Sequence, residues 1–147
     1  MAYREALRAI FDQQLAMNAL HGRAGTVASA AAIATGLIGL GADGDGIGVA
    51  GLVALVAFAG ILGIIGFILW PRKEWRFHFE ASKLYWYYID GPSPVEVGAM
   101  KRDLALHLDV YFKTNAGKID RFGTMLATAI ALLFVEVGAV LLELGRR

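Results

Sequence analysis

The chain has 147 residues, of which 57% are hydrophobic, and its formal net charge is only +1. This length fits one domain, and the small net charge argues against a nucleic-acid-binding protein, which normally presents a strongly basic face. The chain has no Cys, so disulfides, thiolate metal sites and Cys nucleophiles are excluded. The three His residues, at 21, 78 and 107, lack the close spacing of a helical metal site, so no metal or cofactor is expected.

The first predicted element is a helix over residues 2–22, "AYREALRAIFDQQLAMNALHG". Its apolar side chains fall roughly on one broad stripe, as they do in an amphipathic helix. This helix is predicted to lead directly into the first of three apolar runs.

The three apolar runs cover residues 24–42, 47–70 and 123–144. A helix needs about 20 residues to cross about 30 Å of hydrocarbon, and each run reaches that length. The second run holds no charged residue, whereas the first is rich in Ala and Gly and only moderately apolar. A short "DGDG" turn between these two runs favours a helical hairpin. We therefore expect an all-α integral membrane protein, a single membrane domain over 1–147 with three transmembrane helices: a two-span hairpin and a long C-terminal helix.

The Lys and Arg residues set the expected orientation in the membrane. Of the 14 in the chain, three precede the first run and nine lie between the second and third runs, whereas the hairpin turn has none. Such residues concentrate on the cytoplasmic side of membrane proteins. We therefore expect residues 1–23 and 71–122 in the cytoplasm of a cell with an inner membrane, and the C-terminus outside.

The middle segment begins after Pro71 with "RKEWRFHFE", residues 72–80, where aromatic and charged residues alternate. This pattern fits a short extended segment, or an interfacial helix with its aromatic rings among the lipid headgroups. Both readings stay open. Because aromatic residues form a belt at membrane interfaces, the pattern does not indicate a nucleic-acid partner.

A helix start follows in "GPSPVE", residues 91–96. Ser93 can cap a helix, Pro94 suits the first helical position, and Glu96 completes a capping box with Ser93. No further Pro or strong break occurs before Gly145. One helix of roughly 75 Å is therefore predicted from Pro94 to Leu144.

The N-terminal helix and this long helix both rise from the cytoplasm into the membrane, so their cytoplasmic extensions are predicted to be parallel and to pair as in a coiled coil. Aligning the membrane entry points near Arg23 and Arg121 puts Asn18 level with Ala116 and Asn115. We expect these two Asn residues to face each other and fix the register, a known use of a polar residue in an apolar seam. The alternative is that both are solvated.

Small residues recur at helical spacing in the first two apolar runs. They let helices approach closely, so we expect tight packing of the hairpin, within the subunit or between copies. The residues concerned are Ala28, Ala32 and Gly36 in the first run and Gly60, Gly63 and Gly66 in the second.

One carboxyl group stands inside the third run, in "LLFVEVGAVLL", residues 132–142. Glu136 lies about 20 Å along the helix from Gly123, which is past the membrane midplane toward the outside. A charge at such a depth costs at least about 2.5 kcal/mol, so Glu136 is expected to face other helices in its protonated form. Thr35 lies at the same height and is the expected polar partner. An inter-subunit contact and a pore-lining role remain open.

Catalytic signatures are missing from the sequence. There is no Walker loop, no zinc-protease motif and no nucleophile elbow of a Ser hydrolase. The Gly-rich "GLGADGDG" stretch lacks the later ligands of a calcium loop and suits a tight turn better. An enzyme is therefore not expected, and no catalytic, cofactor-binding or metal-binding residue is assigned.

The order of elements resembles the small transmembrane effectors of bacterial anti-phage systems, in particular the Pycsar-type effectors, which are related in role to those of CBASS. The stretches that carry the resemblance are "NALHGRAGTVASAAAIATGL" and "LHLDVYFKTNAGKIDRFGTMLATAIALL". The resemblance implies a membrane protein that oligomerises or rearranges on a signal and damages the inner membrane. No cyclic-nucleotide-binding domain is recognisable in the chain.

Three functions follow as hypotheses. The first is an effector that forms homo-oligomers and permeabilises the lipid bilayer in antiviral defence, in response to a nucleotide signal or a cytoplasmic protein partner. The second is a non-catalytic scaffold subunit of a membrane complex, which docks a partner through its cytoplasmic helices. The third is a small channel that uses Glu136.

Overall fold

The computed structural model describes residues 2–40, 46–71, 88 and 95–146. In these ranges the chain forms three helices, α1 (Ala2–Leu40), α2 (Val49–Leu69) and α3 (Val97–Gly145), and no strand. The prediction of an all-helical protein with one long C-terminal helix is confirmed. Residues 72–80, predicted to be either extended or helical, lie outside the described residues.

The start of α3 lies next to the predicted capping box in the sequence. The helix begins at Val97, and the carbonyl of Glu96 accepts a hydrogen bond from the Met100 N–H at 3.0 Å. Glu96 therefore precedes the helix and occupies the N-cap position, whose carbonyl accepts the first bond of the helix. The predicted capping box also requires Ser93, so it stays a prediction. Ser93 itself lies outside the described residues.

By length and composition, α2 and α3 are long and apolar enough to cross a membrane, and they are the two such helices in the described part of the chain. The sequence predicted three such helices, and α1 is not among the two that meet this test. The first apolar run belongs to α1, and its Ala, Gly, Ser and Thr residues give a much smaller hydrophobic driving force than the Ile, Leu, Val and Phe of α2.

The chain divides into two compact units, and the single membrane domain expected over 1–147 stays a prediction. Unit 1 consists of Met1–Asn18 and Arg72–Asp120, and unit 2 consists of Ala19–Pro71 and Arg121–Arg147. These boundaries lie close to the ends of the predicted apolar runs. The division therefore separates the strongly charged parts of the sequence from the apolar parts.

Unit 1 pairs α1 with α3 in the same direction. The first residues of α1 lie beside Gly98 to Asp109, and the segment 9–16 lies beside Phe112 to Asp120, so both helices advance together. Buried residues are spaced three, four or seven apart, as in a coiled-coil seam. They are Ile10, Gln13, Met17, Leu104, Leu108 and Asn115.

Unit 2 packs three helices side by side, with α2 antiparallel to α3. The start of α2 lies against Glu143, its middle at Gly60 lies against Leu132, and its end places the ring of Phe67 edge-on to that of Phe122. All three helices contribute to one buried apolar cluster. Its members are Ala34, Ile38, Ala54, Ala139 and Val140.

Most of the small residues that pack inside unit 2 lie outside the predicted set, although Gly60 of that set lies against Leu132. The buried small residues of α1 and α2 are Ala24, Ala31, Ala34, Gly51, Ala54 and Ala57. Of the predicted set, Ala32, Gly36, Gly63 and Gly66 are exposed, and Ala28 and Gly60 are half-buried. The residues that pack in α1 follow the seven-residue repeat of its seam, from Ala24 to Ala31 to Ile38, and the predicted stripe lies beside that seam. Packing of the exposed stripe between copies remains a prediction.

The seam of unit 1 can be tested with two leucines that differ in burial. Leu108 is 1% exposed and Leu106 is 60% exposed. Replacing Leu108 with Ala leaves a cavity, so we expect the free energy of unfolding to fall by about 2–5 kcal/mol. Leu106→Ala is the matched control and should change it by less than about 0.5 kcal/mol. Chemical unfolding followed by circular dichroism measures both, and equal effects would contradict the assigned seam.

Candidate functional site

Two carboxyl groups are fully buried in unit 2, and both lie on one line along α3. Glu136 and Glu143 are each 0% exposed, and they stand seven residues apart at the same position of the helical repeat. A buried carboxyl group is costly unless it is neutral or well paired. The two groups meet this requirement in different ways, and together they form the candidate site.

Glu136 lies against α1. The hydroxyl of Thr35 donates a hydrogen bond of 2.6 Å to Oε1 of Glu136. The structure thus brings together the two residues that the sequence predicted to pair. The Thr35 hydroxyl thus forms its hydrogen bond with a side chain of a neighbouring helix.

The second oxygen of Glu136 has a different environment. Oε2 is buried and has no hydrogen-bond partner among the described residues. Helix α2 has no charged residue, and α1 has none between Arg23 and its end. The Glu136 carboxyl therefore has one hydroxyl as its polar neighbour and no neutralising cation from the helices that pack beside it.

Glu143 lies against the N-terminus of α2. Its Oε1 accepts the backbone N–H of Gly48 at 2.9 Å, and its Oε2 accepts the N–H of Gly51 at 3.1 Å. The first N–H groups of a helix have no partner within the helix, and the positive end of the helix dipole favours an anion. Glu143 thus caps α2 from a different helix, a role that Gly48 cannot fill because it has no side chain.

Arg146 and the two glycines complete this cap. Arg146 Nη2 lies 3.0 Å from Oε1 of Glu143. A Cβ on Gly48 would lie 2.7 Å from the Glu143 carboxyl and 2.5 Å from Arg146, and a Cβ on Gly51 would lie 3.4 Å from Cδ of Glu143. Glycine therefore lets the backbone of α2 come close enough to use this carboxylate.

Sequence reasoning missed the Glu143 cap. Two signals pointed toward it: the seven-residue spacing from Glu136, and the position of Glu143 at the same end of the unit as the hairpin turn. Neither signal identifies the partner atoms, because the partners are backbone N–H groups, which nearly every residue type has. The contact joins residues 92 and 95 positions apart.

The structure does not bring Asn18 and Asn115 together in a buried seam. Asn115 is fully buried, whereas Asn18 is exposed. The seam of α1 passes through Met17, so the next residue points away from it. The polar group that crosses between the helices is Gln13, whose Nε2 donates to the Phe112 carbonyl at 2.8 Å. Gln13, and not Asn18, is therefore the residue of α1 whose position suits a role in fixing the register.

Further polar contacts of unit 1 involve side chains of α3. Tyr88 donates a hydrogen bond to Asp103, whose side chain also lies 3.6 Å from His107, and Lys113 pairs with Asp109 at 2.6 Å. Exposed pairs of this kind contribute little to stability. Among the described residues, no group of three or more His, Cys, Asp or Glu residues could hold a metal ion.

Comparison with known proteins gives no relative. No protein-family model matches the sequence, no curated protein matches it, and no solved structure matches its fold. What the structure defines is an all-helical protein with two helices long and apolar enough to cross a membrane. Within it, two buried carboxyl groups join the last helix to the other two.

The cap at α2 predicts an order of effects at two residues. Glu143→Ala leaves the N–H groups of Gly48 and Gly51 without their carboxylate, so the melting temperature of the purified protein should fall clearly. Arg146→Ala removes one half-exposed ion pair and keeps both of those hydrogen bonds, so the fall should be much smaller. Thermal unfolding in one detergent measures both variants. A larger effect of Arg146→Ala would contradict the assigned cap.

The contact at Glu136 predicts a difference between two substitutions of Thr35. Thr35→Val keeps the shape but removes the hydroxyl that donates to Glu136, so the free energy of unfolding should fall by about 1 kcal/mol. Thr35→Ser keeps the hydroxyl and should retain most of this hydrogen bond. Unfolding in a denaturing detergent distinguishes the two, and a larger loss in Thr35→Ser than in Thr35→Val would show that the methyl group matters instead.

Proposed function

We propose that this protein is a small membrane protein that forms homo-oligomers and permeabilises an inner membrane in response to a signal, as the anti-phage effectors that it resembles do. The observation that carries the proposal is the apolar outer surface of unit 2. The two buried carboxyl groups and the outward small residues support it further.

The outer surface of unit 2 suits lipid as its surroundings. Only 28% of the most apolar stretch of α2, and the same share of that of α3, is buried within the chain. Large side chains such as Ile33, Val56, Phe134 and Leu142 are each about two-thirds exposed or more. A soluble protein does not leave apolar patches of this extent open to water. A lipid bilayer is therefore the expected surroundings of unit 2.

The packing of α1 supports a third membrane segment. Although its apolar run is too rich in Ala and Gly to qualify alone, Ala34 and Ile38 pack in the same cluster as α2 and α3. Thr35 also bonds to Glu136 on α3. If α2 and α3 cross the bilayer, α1 lies beside them at the same depth. The Lys and Arg distribution of the sequence favours a cytoplasmic N-terminus and an external C-terminus.

The outward small residues support contacts between copies. Gly36 and Gly63 are exposed, and a Cβ on either would meet nothing within 4 Å in the chain. Ala32 lies one turn before Gly36 and is also exposed. Small residues on a lipid-facing surface let a second helix approach closely. A second copy of this chain is the simplest occupant of that surface.

Permeabilisation would use the polar groups that one chain keeps inside. Glu136 and Glu143 are both covered in the single chain. An assembly that moves α1 or α2 away from α3 uncovers these carboxyl groups within an otherwise apolar unit. Water could then hydrate these carboxyl groups along a path across the membrane. The exposed apolar side chains of the closed unit provide no such path.

A scaffold function is the second candidate, and one observation favours it. The helices of unit 1 expose large apolar side chains on both α1 and α3. They are Leu7, Phe11, Leu15, Leu106 and Val110. Exposed apolar residues in this number suit the docking of a protein partner, which would act either as a stable neighbour or as the source of the activating signal.

The test combines assembly with membrane potential. Cells induced to express the protein are followed with a potential-sensitive dye, and oligomers are measured by cross-linking in the membrane. We expect expression to collapse the potential. Gly36→Leu should prevent close packing between copies while leaving the single chain intact, so both oligomers and depolarisation should fall toward the uninduced level.

Val56→Leu is the matched control, because Val56 is also exposed and already carries a bulky side chain. It should behave as the wild type does. Intact potential together with a stoichiometric co-purifying partner would contradict the effector function and favour the scaffold. Depolarisation that persists in Gly36→Leu without oligomers would contradict the role of assembly.

A further inference from the structure

Among the described residues, no charged side chain near Glu136 could balance an ionised carboxylate. On α1 the nearest charged side chain is Arg23, twelve residues or about 18 Å along the helix from Thr35. On α2 there is none. On α3 the nearest cation is Arg146, ten residues or about 15 Å away, and it already pairs with Glu143. Asp43 and Asp45 of the hairpin turn lie outside the described residues and are acidic.

Hydrogen bonds do not replace the missing charge. Oε1 of Glu136 accepts one bond, from the Thr35 hydroxyl, and the buried Oε2 has none within the described residues. A buried carboxylate is stable only with a charged partner or with several donors. Loss of the charge by protonation is the usual alternative.

We propose that Glu136 is a proton-binding site, a neutral carboxylic acid that carries its proton on Oε2 while Oε1 accepts the Thr35 hydroxyl. The ligand is thus a proton, held inside the three-helix unit. The proposal concerns the closed chain and does not depend on permeabilising activity.

Glu143 provides an internal comparison. It is as buried as Glu136 and lies on the same helix, yet it accepts two backbone N–H groups at the start of α2 and one bond from Arg146. Donors of this kind favour the anion. The structure therefore pairs one fixed anion with one neutral acid, two turns apart on α3.

An alkali cation fits the Glu136 site less well than a proton. Three oxygens are offered there by side chains, two from Glu136 and one from Thr35. Hard metal cations take about six or more oxygen ligands, and the backbone carbonyls of the surrounding helices are already used within those helices. A proton needs only one oxygen.

Infrared spectroscopy tests the protonation state directly. The full-length protein in liposomes, in choline buffer at neutral pH, should show the carbonyl band of a protonated carboxylic acid. Glu136→Gln should remove this acid band, whereas Glu143→Gln should remove carboxylate bands and leave it in place. The two variants are matched in burial and in chemistry.

A hydrophobic carbodiimide gives an independent readout on the wild-type protein. The acid proton moves to a carbodiimide nitrogen, the carboxylate oxygen bonds to the central carbon, and the O-acylisourea rearranges to a stable N-acylurea without loss of atoms. Mass spectrometry should locate the added carbodiimide on Glu136 and leave Glu143 unmodified. Labelling should fall as the pH is raised.

Three results would overturn the proposal. The first is loss of carboxylate bands, and not the acid band, in Glu136→Gln. The second is disappearance of the acid band when sodium replaces choline at constant pH, which would mean that an alkali cation occupies the site. The third is carbodiimide on Glu143 in place of Glu136.

Discussion

The fold of unit 2 depends on how it satisfies polar groups inside an apolar three-helix bundle. The start of α2 presents N–H groups that have no partner within the helix, and the Glu143 carboxylate accepts two of them. This contact sets the height of α2 against α3. Thr35 and Glu136 make the corresponding contact between α1 and α3. Both contacts use one face of α3, so a single helix orders the other two.

Polar residues at buried positions recur with the period of the seam. Asn115, Glu136 and Glu143 occupy the same position of a seven-residue repeat, and all are fully buried. In an apolar seam, shifting the register would separate each of these groups from its present neighbours. An unsatisfied buried group costs more than a hydrogen bond contributes. Polar residues thus specify one register where Ala and Leu alone would allow several.

The same arrangement links the fold to the proposed activity. Apolar side chains face outward and the carboxyl groups face inward, so the closed chain is suited to lipid on its surface. The contacts inside the unit include the hydrogen bonds of Glu136 and Glu143 and the packing of buried apolar side chains. An assembly that competes for the exposed Gly36 surface could weaken these contacts, because small residues allow helices to approach closely.

The sequence by itself determined the helical class, the long C-terminal helix and the pairing of Thr35 with Glu136, because helix rise converts residue number into height. The length of the first apolar run favoured an independent span in α1, but Ala and Gly make this run less apolar than the other two. Only the tertiary structure decided which face of each helix is buried, which is why Gln13 and not Asn18 crosses the seam. It also decided the Glu143 cap, because the partners of Glu143 are backbone N–H groups whose position depends on how the helices pack.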